Sequence, residues 1–501
     1  MQATAEQKTC LAAFNSGQDL RIDAAAGSGK TTTLRYLMAR GARQGRTLYT
    51  SFGRKIVEEA RSRFPAHVDV RTNHSLAYRS CGSQWRAEGR LQNRVTGYQL
   101  AQACGWGSGV FAPHADTTQG GYAVMQTIAN FCGSGDDDLA TDHVPLLLDA
   151  EGNVDRGYTR CVLEQARAVW ERMMAPGDRV PITHDVYLKS WALTHPRLEY
   201  DAILLDEAQD TSGLMIRLLA EQTHAQRVIV GDRYQQIYAW RGAVNAMRQF
   251  KVDVVGKLTR SFRFGPAIAT LANSVLAQYA GAKDLHIEGS PDLGSTVNVA
   301  GRMEPARAVV ARTNAALIVE LIETQMRDRH NKYAVVGGVA EMKSLLYGIQ
   351  DLMRGKRSSN PELLEFVSWR ALMQATADPP YAHLRPLVDL VETYRTEQLL
   401  DELGRAEGNE RDEAQCKRVF STTHRAKGRE FESVELLGDF KVRDDKKPGQ
   451  QGYRKWNPEE GNILYVAVTR AKLRLDAGNS DAIRDVARRA GLRLDELAHA
   501  A

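Results

Sequence analysis

Short, nearly continuous apolar runs recur along the chain, each closing on a glycine-rich or acidic turn. A first group comprises LRIDA (20–24), TLYTSF (47–52), AILLDE (202–207) and RVIVGD (227–232). A second comprises ARAVVARTN (306–314), YAVVGG (333–338), RVFSTTH (418–424) and VELLGDF (434–440). A strand with one wet face alternates apolar and polar residues, whereas a strand covered on both faces is apolar throughout. Runs of this kind separated by helical segments predict parallel sheets sandwiched between helices. Their grouping predicts two α/β domains that part near residue 258.

Two stretches have a different texture. From about residue 80 to 181 the chain carries the breaks GWGSG and CGSGDDD together with the helical segment TRCVLEQARAVWERMM. Residues 352–413 are rich in Leu, Glu and Arg at helical spacing and contain no strand-like run. The predicted organisation is therefore a first α/β domain from 1–79 and 182–257, carrying a helical insertion at 80–181. A second domain comes from 258–351 and 414–501, carrying a small helical insertion at 352–413. The tail IRDVARRAGLRLDELAHA predicts an amphipathic helix that packs rather than acts.

Composition narrows the picture only a little. At 501 residues the chain exceeds a single core, which agrees with two domains and their insertions. With 43% hydrophobic and 25% charged residues it is an ordinary globular protein, which argues against fibrous and disordered classes. The net charge of +5 permits a phosphate-bearing partner without requiring one. No run approaches the roughly 20 apolar residues that span a bilayer, and MQATAEQKTC lacks the pattern of a signal peptide. The six cysteines are scattered with no C-x-x-C pair, so reduced thiols are expected rather than a metal or iron–sulfur site. The expectation is no membrane partner and a cytoplasmic location.

Chemistry enters after the first predicted strand, at AAAGSGKT (24–31). Small residues between a strand and a helix let backbone N–H groups approach a phosphate chain, and the helix N-terminus adds positive potential. Lys30 then supplies a charge for the terminal phosphates and Thr31 a hydroxyl for Mg²⁺. The strict phosphate-loop pattern has Gly where Ala24 stands. The complementary half of such a site is an acidic strand end. DEAQD (206–210) follows the run AILL, so Asp206 can hold the Mg²⁺ shell and Glu207 can polarise a water.

DEAQD followed by GDRYQQIYAWRGA (231–243) closely resembles two motifs of superfamily 1 helicases of the UvrD/Rep type. Further motifs of that family follow in order: TAEQ ending at Gln7, TNHSLA (72–77), LTRSFR (258–263), STTHRAKGREF (421–431) and EEGNILYVAVTRA (459–471). The resemblance thus runs from residue 7 to residue 471. FGRKIVEEA (52–60) departs from the common form of its motif. With ITHDVYLKSWAL (182–193) it looks closer to the F-box DNA helicase branch and its bacterial or phage relatives, which implies a bacterial or phage-infected cell, although no F-box segment is present.

The resemblance implies two RecA-like parallel-sheet P-loop NTPase motor domains, with ATP and Mg²⁺ bound in the cleft between them. Matching positions imply that Gln7 reads adenine and that Ala26, Gly27, Ser28, Gly29, Lys30, Thr31 and Thr32 hold the phosphates. They imply that Gln235 senses the γ-phosphate, that Phe262 stacks on the base and that Glu430 accepts from the ribose. Arg263 and Arg470 would reach the γ-phosphate from the second domain and offset transition-state charge. Phe52, Tyr238 and Trp240, with Arg241, match the family's aromatic and basic contacts to single-stranded DNA, and His74 and His424 its polar ones. Stacking on any base grips a strand without reading it.

The resulting expectation is a translocase on single-stranded and tailed duplex DNA that moves 3′→5′, a polarity taken from the resemblance alone. One alternative is an ATP-gated single-strand-binding or protein-stripping factor that does not unwind. Another is the motor subunit of a nuclease complex, where a nuclease or recombination factor would be a separate protein partner because so little chain follows Ala471.

Overall fold

A computed structural model describes the chain except residues 1–2, 43–44, 52, 146, 148–153, 239–243, 281, 283–284, 300–304, 357, 359, 364–365, 367, 378–380, 441–457 and 493–501. It divides into two compact units: Met1–Ala24 with Gly29–Leu258, and Ala25–Ser28 with Thr259–Ala501.

The first unit is built on six parallel strands, β1 (Leu20–Ala24), β2 (Thr47–Ser51), β3 (Val68–Thr72), β4 (Ala202–Leu205), β5 (Gln226–Gly231) and β6 (Val254–Leu258). They lie in the order β3-β2-β4-β5-β1-β6. The runs of β2, β4 and β5 each serve two buried clusters at once, whereas β1 gives Leu20, Ile22 and Ala24 to one of them. Along β4, Ile203 and Leu205 enter one buried cluster, while Leu204 enters another on the opposite face. The second cluster is completed by Phe14, Leu34 and Leu37 from helices Ala5–Asn15 and Lys30–Arg40.

Between β3 and β4 the chain is helical, chiefly Thr117–Gly133, Arg156–Met174 and His184–Ala192. Phe131, Val162, Val169 and Trp191 from these helices join the cluster that holds Ile203, so the helical stretch shares a core with one sheet face. A buried arginine finishes its longest helix. Arg90 donates to the carbonyls of Arg172, Met173 and Ala175 around the helix C-terminus and to that of Val180 beyond it, supplying donors where the helix has run out of its own.

The second unit repeats the plan with β7 (Thr296–Asn298), β8 (Ala308–Ala311), β9 (Tyr333–Val335), β10 (Arg418–Thr422), β11 (Phe431–Leu436) and β12 (Ala471–Asp476). These are also parallel, in the order β7-β12-β11-β8-β10-β9. Helices Ala340–Met353, Arg385–Thr393 and Thr396–Arg405 lie between β9 and β10. Leu345, Leu387 and Leu399 from them pack with Val309 and Phe420 of the sheet.

Several expected strands change length. The run at 306–314 narrows to Ala308–Ala311, that at 434–440 shifts back to Phe431–Leu436, and AILLDE stops at Leu205, before both carboxylates. The predicted tail helix ends at Arg489, with Ala490 and Gly491 in a turn, and residues 493–501 lie outside the described residues. Among the described residues no helix is long and apolar enough to cross a membrane.

Candidate nucleotide site and nucleic-acid surface

The phosphate loop leaves β1 at Ala24 and enters the helix Lys30–Arg40. Gly29 caps that helix in the left-handed region (φ 79°), which glycine adopts without steric cost. The cap contributes no side-chain acceptor, so the first-turn N–H groups depend on some other partner. From this turn Lys30 Nζ lies 3.6 Å from Glu207 Oε1, and the Thr31 hydroxyl donates to Asp206 Oδ2 at 2.8 Å.

Asp206 is 1% exposed at the tip of β4. Its Oδ2 also accepts from the Tyr49 hydroxyl of the neighbouring strand at 2.7 Å, and its Oδ1 accepts from the Glu207 N–H at 2.9 Å. Burial, reinforced by the charge of Glu207, pushes the Asp206 carboxyl above the usual carboxylate range, against the pull of Tyr49, Lys30 and Thr31. Burial and the neighbouring Asp206 push the Tyr49 phenol far up, which keeps it a proton donor.

A second set of hydrogen bonds leads away from Glu207, which sits in the left-handed region with φ 54°, a strained setting for a residue with a side chain. Gln209 Nε2 donates to Glu207 Oε2 at 2.5 Å, and Gln209 Oε1 accepts from the Asp232 N–H at 3.1 Å. Asp232 Oδ2 in turn accepts from Gln235 Nε2 at 2.7 Å. This line joins the proposed water-polarising carboxylate to the proposed phosphate sensor through groups that are all within hydrogen-bond reach. Gly231 makes room for it: a Cβ there would stand 2.4 Å from Gln209 Oε1.

Gln7 is buried. Its Oε1 accepts from the Thr4 N–H at 3.0 Å as part of a helix cap, and its Nε2 donates to Thr33 on the phosphate-loop helix at 3.1 Å. His74 Nε2 lies 2.9 Å from Asp185 Oδ1, beside the rings of His184 and Tyr187. Tyr238 is half-buried. Phe52, Trp240 and Arg241 lie outside the described residues.

In the second unit three of the expected residues, Arg263, Glu430 and Arg470, form one group around Thr469. Arg263 donates through Nε to Glu430 Oε1 at 2.8 Å and through Nη1 to the Thr469 carbonyl at 2.9 Å. Arg470, only 1% exposed, donates to the carbonyls of Val466 (2.9 Å) and Arg429 (3.2 Å) and to Thr469 Oγ1 (3.2 Å). Glu430, expected as a ribose acceptor, is thus an ion-pair partner of Arg263. Phe262 is 44% exposed with the Arg260 guanidinium 5.7 Å from its ring centroid, an open face suited to stacking. His424 lies half-buried on the short helix Thr423–Ala426.

Sequence reasoning passed over Tyr49, Gln209 and Asp232. Asp232 was within reach of it, because it follows β5 as Asp206 follows β4, and the two strands are parallel neighbours that end at one edge. Gln209 stands inside DEAQD, but its hub position emerges only when β4 and β5 pair. A tyrosine inside an apolar strand gives no signal of a carboxylate beside it.

Comparison with known proteins bears on this arrangement. Residues 171–254 match the family model for the UvrD/REP helicase N-terminal domain, and residues 315–476 that for the UvrD-like helicase C-terminal domain. F-box DNA helicase 1 of Gallus gallus is 31% identical over 91% of this chain and 47% of its own length. F-box DNA helicase protein 1 of Schizosaccharomyces pombe is 30% identical over 94% of this chain and 57% of its own. ATP-dependent DNA helicase UvrD2 of Mycobacterium tuberculosis is 25% identical over 90% of this chain and 75% of its own. The chain thus spans about half the length of the two F-box relatives it matches. Those two relatives are eukaryotic, so the likeness lends no support to a bacterial or phage source.

Proposed function

We propose that the chain, which resembles UvrD/Rep helicases in both of its matched segments, is an ATP-driven DNA helicase that translocates on single-stranded DNA, 3′→5′, with 80–181 and 352–413 as helical insertions in two motor domains. The observation that carries the reading is the meeting of Lys30 and Thr31 with Glu207 and Asp206, which joins a phosphate loop to an acidic strand end.

The residues present fit a bound Mg²⁺. The Thr31 hydroxyl and the Asp206 carboxylate are hard oxygen donors 2.8 Å apart, and a Mg²⁺ bound with a nucleotide needs few protein ligands because phosphate oxygens and waters supply the rest. When bound, the ion neutralises charge on the β- and γ-phosphates. Lys30 adds a further positive charge, and the first-turn N–H groups of its helix cradle the phosphate chain. Glu207, held by Gln209, orients the attacking water, and the path through Asp232 links it to Gln235. Phe262 offers its exposed face to the base, and Arg263 and Arg470 meet the charge that develops on the transferred phosphoryl. Phe52, Tyr238, Trp240 and Arg241 grip the strand by stacking and charge, with His74 and His424 on its backbone.

The test is strand displacement on duplexes with a 3′ or a 5′ single-stranded tail. The proposal expects ATP-dependent separation of the 3′-tailed substrate and little of the 5′-tailed one. ATP turnover without separation of either would favour a factor that binds strands or strips proteins from them.

A further inference from the structure

We propose that Tyr49 is a positioning residue for the divalent cation that accompanies the nucleotide, holding Asp206 in place against Thr31 through its buried hydroxyl. The inference rests on the nucleotide-site reading above and adds a residue to it. Asp206 has no room to search for its own orientation. Both hydroxyls address Oδ2, Tyr49 at 2.7 Å and Thr31 at 2.8 Å, while the Glu207 N–H occupies Oδ1. Tyr49 is fixed in its turn. It is fully buried, its ring packs on Phe64 with centroids 4.7 Å apart, and its strand pairs with β4 in a register that sets Tyr49 opposite Leu204. The Asp206 N–H donates to the Thr50 carbonyl at 3.0 Å, so the backbone that carries the tyrosine also carries the carboxylate.

When Thr31 turns its lone pairs to a cation, its hydroxyl keeps the same proton to give to Asp206. Tyr49 is a donor only toward this carboxylate oxygen and stays behind it. A hydrogen bond to an ionised group is among the stronger ones, and removing it leaves a buried carboxylate with one donor fewer. The carboxylate can then rotate away from Thr31, and the cost falls on cation binding rather than on the nucleotide itself.

The experiment compares the full chain with Tyr49→Phe, which keeps the ring against Phe64 and deletes only the hydroxyl. Binding of a fluorescent ATP analogue is measured in EDTA and then with rising Mg²⁺. The expected result is unchanged affinity in EDTA and a rise of about tenfold in the Mg²⁺ concentration giving half the response. The double variant with Asp206→Asn should show no loss beyond that of Asp206→Asn alone. If Tyr49→Phe is isolated unfolded, its effect is read in the Asp206→Asn background, where fully additive losses overturn the proposal. An unchanged Mg²⁺ midpoint, or an equal loss of affinity with and without Mg²⁺, also overturns it. A parent chain whose analogue binding ignores Mg²⁺ would overturn the nucleotide-site reading as well, which separates the two failures.

Discussion

Around the phosphate loop, charged groups are held by other side chains, and loosely in the case of Lys30, whose nitrogen stands 3.6 Å from Glu207. In the second unit Arg470 is held mainly by main-chain carbonyls, at 2.9 Å from Val466 and 3.2 Å from Arg429. A lysine facing a side-chain carboxylate can exchange it for a phosphate with little else disturbed. An arginine that satisfies buried carbonyls is part of the fold, and those acceptors are orphaned if it is removed. The contrast separates residues whose loss should silence chemistry alone from residues whose loss should also weaken the protein.

The largest expected effect tests the first half of that contrast. Lys30→Ala should lower ATP turnover by about 10²-fold or more while thermal stability and single-strand binding stay near parental values. A melting point that falls together with turnover would place Lys30 in the structural class. Arg470→Ala probes the other half. It should cost about 2–4 kcal/mol of stability in addition to turnover, measured by denaturant unfolding; an unchanged midpoint would break the distinction. Trp240, outside the described residues, belongs on this reading to the strand grip. Trp240→Ala should lose about 1–3 kcal/mol of base stacking and slow translocation far more than DNA-free ATP turnover.

The smallest effect sharpens the comparison within the first unit, where a second cation is as buried as Arg470. Lys189 donates to the carbonyls of Ser134 (3.0 Å) and Asp136 (2.5 Å), and its nitrogen lies 4.1 Å from the Phe131 ring centroid. Unlike an arginine it can give up its proton, and burial pushes its pKa from 10.5 down to about 8. The unfolded chain therefore binds more protons than the folded one between about pH 8 and 10.5, and stability should rise with pH across that window. Below about pH 8 both states carry the charge and its full burial cost remains. Lys189→Met should remove this part of the pH dependence in denaturant unfolding at pH 7.5 and 10; an identical slope in both proteins would contradict the assignment.

What could be read in advance follows from burial. The central strands β2, β4 and β5 place apolar residues in clusters on both faces, which makes their runs legible, while β1 (LRIDA) sets Arg21 and Asp23 between its buried apolar positions. The edge strands β3 (VDVRT) and β6 (VVGKL) escaped notice because their outer positions carry Asp, Arg and Lys, which an edge tolerates. In the second unit β7 is only three residues long, and β12 (AKLRLD) interleaves charge with its buried positions. The same logic governs the site. Lys30, Thr31, Asp206 and Glu207 are legible because a loop or strand tip must spell out its chemistry locally. Tyr49 and the Gln209–Asp232 link depend on which strands become neighbours, and strand order is not written in any one segment. For Arg470 the motif revealed the residue but not its carbonyl partners.

The central claim is that the Lys30–Glu207 and Thr31–Asp206 constellation hydrolyses ATP in service of a DNA strand. Its most direct test is steady-state ATP turnover by the full chain with and without single-stranded DNA, at saturating ATP and Mg²⁺. The account predicts slow turnover alone and strong stimulation by the strand, both lost in Lys30→Ala. Turnover that is indifferent to DNA, or that survives Lys30→Ala, would contradict it.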